Sequence, residues 1–297
     1  MPEIGQCRLC LQEHSELQGS HFLSKGIYRI VRDAGAKNPD PYLITAGRSV
    51  QTSKQLKRPL FCKGCEERLS SGGERWVLGN CRRNDGTFFL ASMLASRLPD
   101  VESAGNPTKI YYASDIPEIR RSDIAYFAAS IFWRGSLYPW NEDGSIPVDL
   151  GPFQEGFRRY LMGEAVFPAD ACLWVAVREG KGADRLTHVP TRVRADGTHA
   201  YKFPMPGLAF TLLVSRNIPA RYKNICFVCN PRNPLIVTSI LEELLLRDAA
   251  KLLKARRMHA RRACGCQTSS RGESQTTRLP PHRDSSKDWN LVAAAPN

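Results

Sequence analysis

Long apolar runs are missing from this sequence, because no stretch approaches the roughly 18 consecutive apolar residues that a membrane-spanning helix requires. The first residues, Met1 to Gly5, carry neither a basic start nor an apolar stretch, so we expect no secretory leader. Together these absences predict a cytoplasmic protein with no membrane partner. In a reducing cytoplasm the ten cysteines are expected to remain thiols and to bind metal rather than form disulfides.

Acidic residues are also in short supply, with 29 Asp and Glu against 42 Lys and Arg, which gives a formal net charge of +13. Such an excess favours a polyanionic partner, in the first place nucleic acid such as DNA. The stretch from Lys251 to Asn297 holds ten basic and three acidic residues, and so supplies +7 of the total. A solvated basic tail accounts for that part, and the remaining +6 leans only weakly toward nucleic acid.

The length of 297 residues and the 42% hydrophobic content allow a small and a larger domain. We predict an N-terminal module over residues 1–80, a second domain over 81–262, and a basic disordered tail over 263–297. The predicted class is α+β, in which the second domain is a helical segment packed on a small antiparallel sheet. No internal repeat is present, which excludes a solenoid.

Hydrophobic periodicity places the elements of the second domain. Spacing of the helical kind predicts a long helix that begins near Pro117 and reaches Arg134, and another from Phe153 to Met162. Further predicted elements are strands at 173–177, 210–214 and 225–228, a hairpin turning at Asp196-Gly197, and a last helix at about 239–262.

Two Cys-x-x-Cys knuckles organise the N-terminal module. Cys7 and Cys10 form the first, and Cys62 and Cys65 form the second. Two knuckles supply four thiolates to one tetrahedral ion, for which Zn2+ is the best-suited metal. We therefore predict a structural zinc ion bound by these four cysteines.

The order of the module resembles that of the HNH nuclease superfamily, whose members have the ββα-metal fold. A knuckle, a strand, His21, a second strand and a knuckle at the head of a helix follow one another between residue 7 and about residue 76. More narrowly, residues 20–25 and 60–66 resemble a bacterial group that pairs Ser-His-x-x-Pro-Lys with Leu-Leu-Cys-x-x-Cys-Glu. The Phe132-Trp133-Arg134 stretch is similar to one in the same proteins.

This resemblance implies a treble-clef-like zinc module and a metal-dependent endonuclease that hydrolyses DNA phosphodiester bonds. It implies that His21 is the base that activates water, while the zinc is structural. A separate hard cation, Mg2+ or another divalent ion, would be catalytic, with Glu66 at the matching ligand position. The chain departs from the pattern at Ser20, where Asp or His is common, and has no middle Asn in the stretch 53–58.

Other functions fit the same residues. The chain can instead be a non-catalytic zinc-binding module for nucleic acid or a protein partner, within a defence or regulatory system. His21 would then brace the knuckle from behind, and Glu66 would be an ordinary carboxylate at a helix N-terminus.

Three further expectations concern residues outside the proposed centre. Glu74, after Gly72-Gly73, is expected to face solvent rather than to add a further carboxylate to the site. Arg134 is expected to be a helix-surface or interface charge rather than a phosphate ligand. The third Cys-x-x-Cys, at Cys226 and Cys229, has strand-like apolar middle residues and is expected to place two thiols in the core rather than to build a second zinc site.

Overall fold

The computed structural model describes residues 3–31, 42–45, 48–51, 55–81, 87–102, 108–141, 144–178, 187–195 and 198–237. The predicted last helix and the predicted tail, 239–262 and 263–297, lie outside these residues. Within the described part of the chain, no helix has the length and apolar character needed to cross a membrane.

The N-terminal part is built on a small antiparallel sheet. Its elements in chain order are β1 (Glu3–Gly5), β2 (Ser15–His21), α1 (Lys25–Val31), β3 (Tyr42–Thr45), β4 (Arg48–Gln51) and β5 (Lys57–Cys62). Strands β1, β2 and β5 form a three-stranded antiparallel sheet, and β3 pairs with β4 in a separate hairpin. The register opposes Leu17 to Cys62 and His21 to Lys57, so the two ends of β2 face the second knuckle and the start of β5.

A bent helix follows the sheet directly. It consists of α2 (Lys63–Leu69), a π-helical turn (Ser70–Glu74) and α3 (Arg75–Cys81). At the Ser-Ser-Gly-Gly stretch the helix bends and continues instead of ending. The bend falls at Gly73. Only glycine fits at this position, because a Cβ would clash with the backbone carbonyl of Asp123. The absence of a side chain thus lets the turn lie against a second helix.

The remaining elements alternate helices with strands of a larger sheet. They are α4 (Phe89–Ala95), β6 (Val101–Glu102), β7 (Lys109–Tyr112), α5 (Arg121–Gly135), α6 (Gln154–Met162), β8 (Ala171–Val177), β9 (Thr191–Ala195), β10 (Thr198–Met205), β11 (Leu208–Val214), α7 (Ala220–Asn224) and β12 (Pro234–Val237), with 3-10 turns at Ala113–Asp115 and Gly151–Phe153. The two predicted helices correspond to α5 and α6 and are confirmed.

The larger sheet has seven strands in the order β6-β7-β12-β8-β11-β10-β9. Neighbours are antiparallel except β12 and β8, which run parallel. The sheet is therefore larger than the small antiparallel sheet that was predicted, although the α+β class is confirmed. The predicted strand at 225–228 is wrong, because these residues form a turn after α7.

Helix α5 lies between the two sheets and joins their cores. Trp133 stacks on Phe61 of β5 with ring centroids 5.7 Å apart, and Phe127 meets Phe210 of β11 at 5.8 Å. Each large side chain buried in this way contributes about 1.5–3 kcal/mol. One buried apolar cluster therefore contains residues from both sides of position 80. The domain boundary between residues 80 and 81 stays a prediction.

Candidate metal centre and the polar cluster beside it

The four cysteines of the two knuckles meet at one point. The sulfur atoms of Cys7, Cys10, Cys62 and Cys65 all lie within 4.8 Å of one another. The Sγ atoms of Cys10 and Cys62 are 3.9 Å apart, and tetrahedral binding with Zn–S bonds of about 2.3 Å separates sulfurs by about 3.8 Å. The group can therefore hold a metal ion such as zinc with little rearrangement.

Backbone hydrogen bonds shape the first knuckle and fix it to β5. The N–H of Leu11 donates to the carbonyl of Cys7 at 2.9 Å, and Leu11 takes a left-handed conformation with φ of 63° that closes the turn. The N–H of Arg8 donates to the carbonyl of Leu60 at 3.0 Å. The N–H of Cys62 donates to the sulfur of Cys7 at 3.3 Å. The strand thus delivers the second knuckle onto the first.

The electrostatics of the thiols favour a bound cation. Burial acts to raise the pKa of Cys7, but N–H groups of Cys62, Cys10 and Leu9 outweigh it and lower the pKa to about 7. Burial raises the pKa values of Cys10 and Cys65. A divalent cation would displace these protons, because thiolates are the species that bind metal.

His21 is the last residue of β2 and is half-buried. Its Nε2 lies 2.6 Å from Oε1 of Gln55. An amide oxygen only accepts, so Nε2 carries the hydrogen and Nδ1 keeps a free lone pair. Burial lowers the pKa of His21, the charge of Lys57 lowers it further, and Gln55, Glu66 and Glu74 oppose this. The ring is therefore neutral at pH 7 and can accept a proton.

Glu66 lies in the first turn of α2, immediately after Cys65. Its Oε1 is buried and has no hydrogen-bond partner within the described part of the chain. Its charge acts on His21, which places the two groups in one electrostatic neighbourhood. Buried carboxylate oxygens are ordinarily paired, so this oxygen lacks a partner that a cation can supply.

A buried ion pair completes the cluster. The guanidinium of Arg134, at the end of α5, is 3.4 Å from the carboxylate of Glu74, and the two side chains are 4% and 16% exposed. The other Nη atom of Arg134 donates to the backbone carbonyl of His21 at 3.4 Å. The expectation that Glu74 faces solvent is wrong. Of the two expectations for Arg134, the interface charge agrees with the structure and the helix-surface charge does not, because Arg134 is buried between α5, the bent helix and β2. The bend at Gly73 carries Glu74 inward. The ion pair with Glu74 offsets part of the desolvation free energy that burial of the Arg134 guanidinium costs.

Two carboxylates and two cations surround His21. Arg134 pairs with Glu74, and the exposed Lys57 lies opposite His21 in the register of β2 and β5. The buried oxygen of Glu66 has no hydrogen-bond partner within the described part of the chain. The cluster therefore suits a hard cation with oxygen ligands.

The sequence pointed to His21 and Glu66, offered Glu74 as a less favoured further carboxylate, and gave no sign that Gln55 and Arg134 belong to the same cluster. Gln55 falls in the stretch 53–58, and its amide oxygen lies within hydrogen-bond distance of the His21 ring. Comparisons of the chain with protein-family models, with curated proteins and with solved structures found no match. The function is accordingly argued from the geometry of this cluster.

Proposed function

We propose that the protein is an HNH-like endonuclease, a metal-dependent hydrolase of DNA phosphodiester bonds built on a treble-clef-like module. In this proposal Cys7, Cys10, Cys62 and Cys65 hold a structural Zn2+ ion. The observation that carries the proposal is the unpartnered, buried oxygen of Glu66 in the electrostatic neighbourhood of a neutral histidine. A base for water and a ligand for a cation are the two parts that phosphodiester hydrolysis requires.

His21 would act as the general base. Gln55 holds Nε2 at 2.6 Å, so Nδ1 can take a proton from a water molecule as the water oxygen attacks phosphorus. The P–O bond to the leaving oxygen then breaks, and that oxygen departs with the bonding electron pair. Glu66 would hold a divalent cation such as Mg2+, which supplies positive charge to the leaving oxygen.

Two exposed cations lie next to the proposed base and favour a polyanionic substrate. Lys57 and Arg58 pair in register with His21 and Ser20 across β2 and β5. Both side chains face solvent, where they can contact phosphates without the cost of uncovering a buried charge. Their position supports nucleic acid as the substrate, with the total charge of +13 in the same direction.

A non-catalytic zinc-binding module for nucleic acid or protein is the second candidate. The observation that favours it is Arg134, which contacts both Glu74 and the carbonyl of His21. Such a network can brace a purely structural module as well as an active site. The experiment below separates the two candidates.

Nicking of supercoiled plasmid in added Mg2+ tests the proposal, with Glu66→Gln as the decisive variant. We expect the wild-type protein to nick the plasmid. The variant should need at least about tenfold more Mg2+ for the same rate, because it lacks a charged ligand and a loss of ~1.4 kcal/mol in Mg2+ binding lowers the affinity tenfold. Glu67→Gln is the matched control, since Glu67 is the exposed neighbour on the same helix. Plasmid binding without nicking at any Mg2+ or Mn2+ concentration would leave only the binding module.

The pH dependence of nicking provides a second prediction. A base works in its neutral form, and burial lowers the pKa of His21 below its ordinary value of 6.5. Activity is therefore expected to stay level as pH falls through 6.5 and to decline only at lower pH. A rate profile from about pH 5 to 8 measures this, and an acid limb with its midpoint above 6.5 would contradict it.

A further inference from the structure

A second group of thiols lies on the larger sheet, away from the four-cysteine centre. Cys172 belongs to β8, and Cys226 and Cys229 belong to the turn after α7. The sequence predicted two core thiols at Cys226 and Cys229. Cys226 and Cys172 are buried, but Cys229 is exposed, so the prediction is correct for Cys226 alone.

The turn that carries Cys226 is organised around its sulfur. The N–H of Cys229 donates to Cys226 Sγ at 3.2 Å, and the N–H of Val228 also stabilises this sulfur. The N–H of Asn230 donates to the carbonyl of Cys226 at 3.1 Å and closes the turn. Main-chain N–H groups therefore point at this one sulfur.

The first knuckle has the same arrangement. In residues 7–11 the N–H groups two and three positions after the first cysteine stabilise its sulfur, and the fourth closes the turn. Residues 226–230 repeat each of these contacts with the same spacing. The sequence had assigned the second stretch to a strand because Phe227 and Val228 are apolar. Its backbone hydrogen bonds are those of the first knuckle, although Asn230 lacks the positive φ with which Leu11 closes the first turn.

Cys172 adds a third thiol to this knuckle. Its side chain packs in one buried cluster with that of Cys226, and its Sγ donates to the carbonyl of Tyr222 at 3.2 Å. The indole N–H of Trp174 donates to the same carbonyl of Tyr222 at 3.2 Å, so β8 and α7 are joined next to the thiol of Cys172.

The three sulfurs do not all lie within 4.8 Å of one another, in contrast to the four-cysteine centre. Cys226 interacts with both other thiols and is their shared neighbour. Cys229 is exposed, and its Sγ donates to the carbonyl of Ala171, the neighbour of Cys172, at 3.5 Å. The thiol of Cys229 therefore already lies beside the strand that carries Cys172, and a rotation of its side chain can bring it toward the other two sulfurs.

We propose that Cys172, Cys226 and Cys229 form a second site for a thiophilic metal ion, with Zn2+ as its occupant and solvent as the fourth ligand. Three protein ligands with an open fourth position are an established zinc arrangement. The ion would fasten the 226–230 turn to β8. This site is independent of the proposed nuclease function.

Native mass spectrometry of the full chain, reduced and equilibrated with excess Zn2+ before desalting, tests this proposal. We expect two zinc ions per chain in the wild type. Cys229→Ser should retain one zinc ion. Cys229 is chosen because it is exposed, so its substitution should leave the fold intact even if the variants of the buried Cys172 and Cys226 do not fold. Val228→Thr, in the same turn but without a ligand change, should retain both.

Two results would overturn the proposal. One is a wild-type chain that binds a single zinc ion at saturating Zn2+, whether its mass is that of free thiols or lower by the two hydrogens of a disulfide. The other is a Cys229→Ser chain with the same stoichiometry as the wild type. Loss of zinc from Cys62→Ser reports only on the four-cysteine centre, so the two sites are counted separately.

Discussion

Replacing His21 with alanine is expected to slow plasmid nicking by a factor on the order of 10²–10⁴, the usual contribution of a general base. The change removes the only ring nitrogen that Gln55 holds at 2.6 Å and leaves the attacking water without a proton acceptor. Because His21 is not among the four thiol ligands, the zinc content should not change. Nicking rates at saturating Mg2+, with metal analysis and a melting curve on the same sample, measure both parts.

His14→Asn is the matched control for this variant. His14 also lies between the two knuckles, but its side chain is exposed. Its backbone has φ of 51°, a left-handed conformation that asparagine adopts more readily than alanine does. The control should nick like the wild type. Equal rates for His21→Ala and the wild type would exclude His21 as the base, and a lower zinc content in His21→Ala would assign it a bracing role instead.

Local patterns predicted what depends on residues close in sequence. The cysteine spacing predicted the four-thiol cluster. Each Cys-x-x-Cys turn is formed by its own backbone, and two such turns are enough to supply four ligands. The apolar spacing around Phe127 and Trp133 predicted α5, and both residues are buried. These features follow from helix periodicity and knuckle chemistry alone.

The polar cluster beside the metal centre was out of reach of such patterns. Arg134 follows His21 by 113 positions and Glu74 by 60, so their meeting depends on how α5 packs against the bent helix. Charged residues are rarely buried without a partner, and the sequence offers no sign of which partner is near. Gly72-Gly73 was the available clue, because adjacent glycines permit close backbone approach as well as ending helices.

Strand order in the larger sheet was also unpredictable from local patterns. β12 pairs parallel to β8 on one side and antiparallel to β7 on the other. Its four residues, Pro234–Val237, are too few to show a clear period of two. The turn at 226–230 was mistaken for a strand for a related reason: apolar content predicted burial correctly at Cys226 and Phe227, but not the N–H contacts to sulfur that curl the chain.

The other large effect is expected from Cys62→Ser, which should remove one zinc ion per chain and strongly destabilise the N-terminal sheet. Structural zinc contributes about 10–16 kcal/mol in isolated zinc-finger peptides. Here β5 also packs through Phe61 onto Trp133, so we expect a smaller loss of ~5 kcal/mol. A loss of that size lowers Tm by roughly 10–20 °C in a chain of this length.

Cys62→His is the matched rescue, because imidazole replaces a thiolate in many structural zinc sites. Cys62 is only partly buried, which leaves space for the larger ring. This variant should keep the zinc ion and most of the melting temperature, whereas Cys62→Ser should lose both. The number of ligands explains the difference: Cys62→His keeps four ligands for a tetrahedral ion, whereas Cys62→Ser leaves only the three thiols of Cys7, Cys10 and Cys65. A Cys62→Ser chain that lacks zinc but melts at the wild-type temperature would show that packing on α5, and not the metal, maintains the fold of the module.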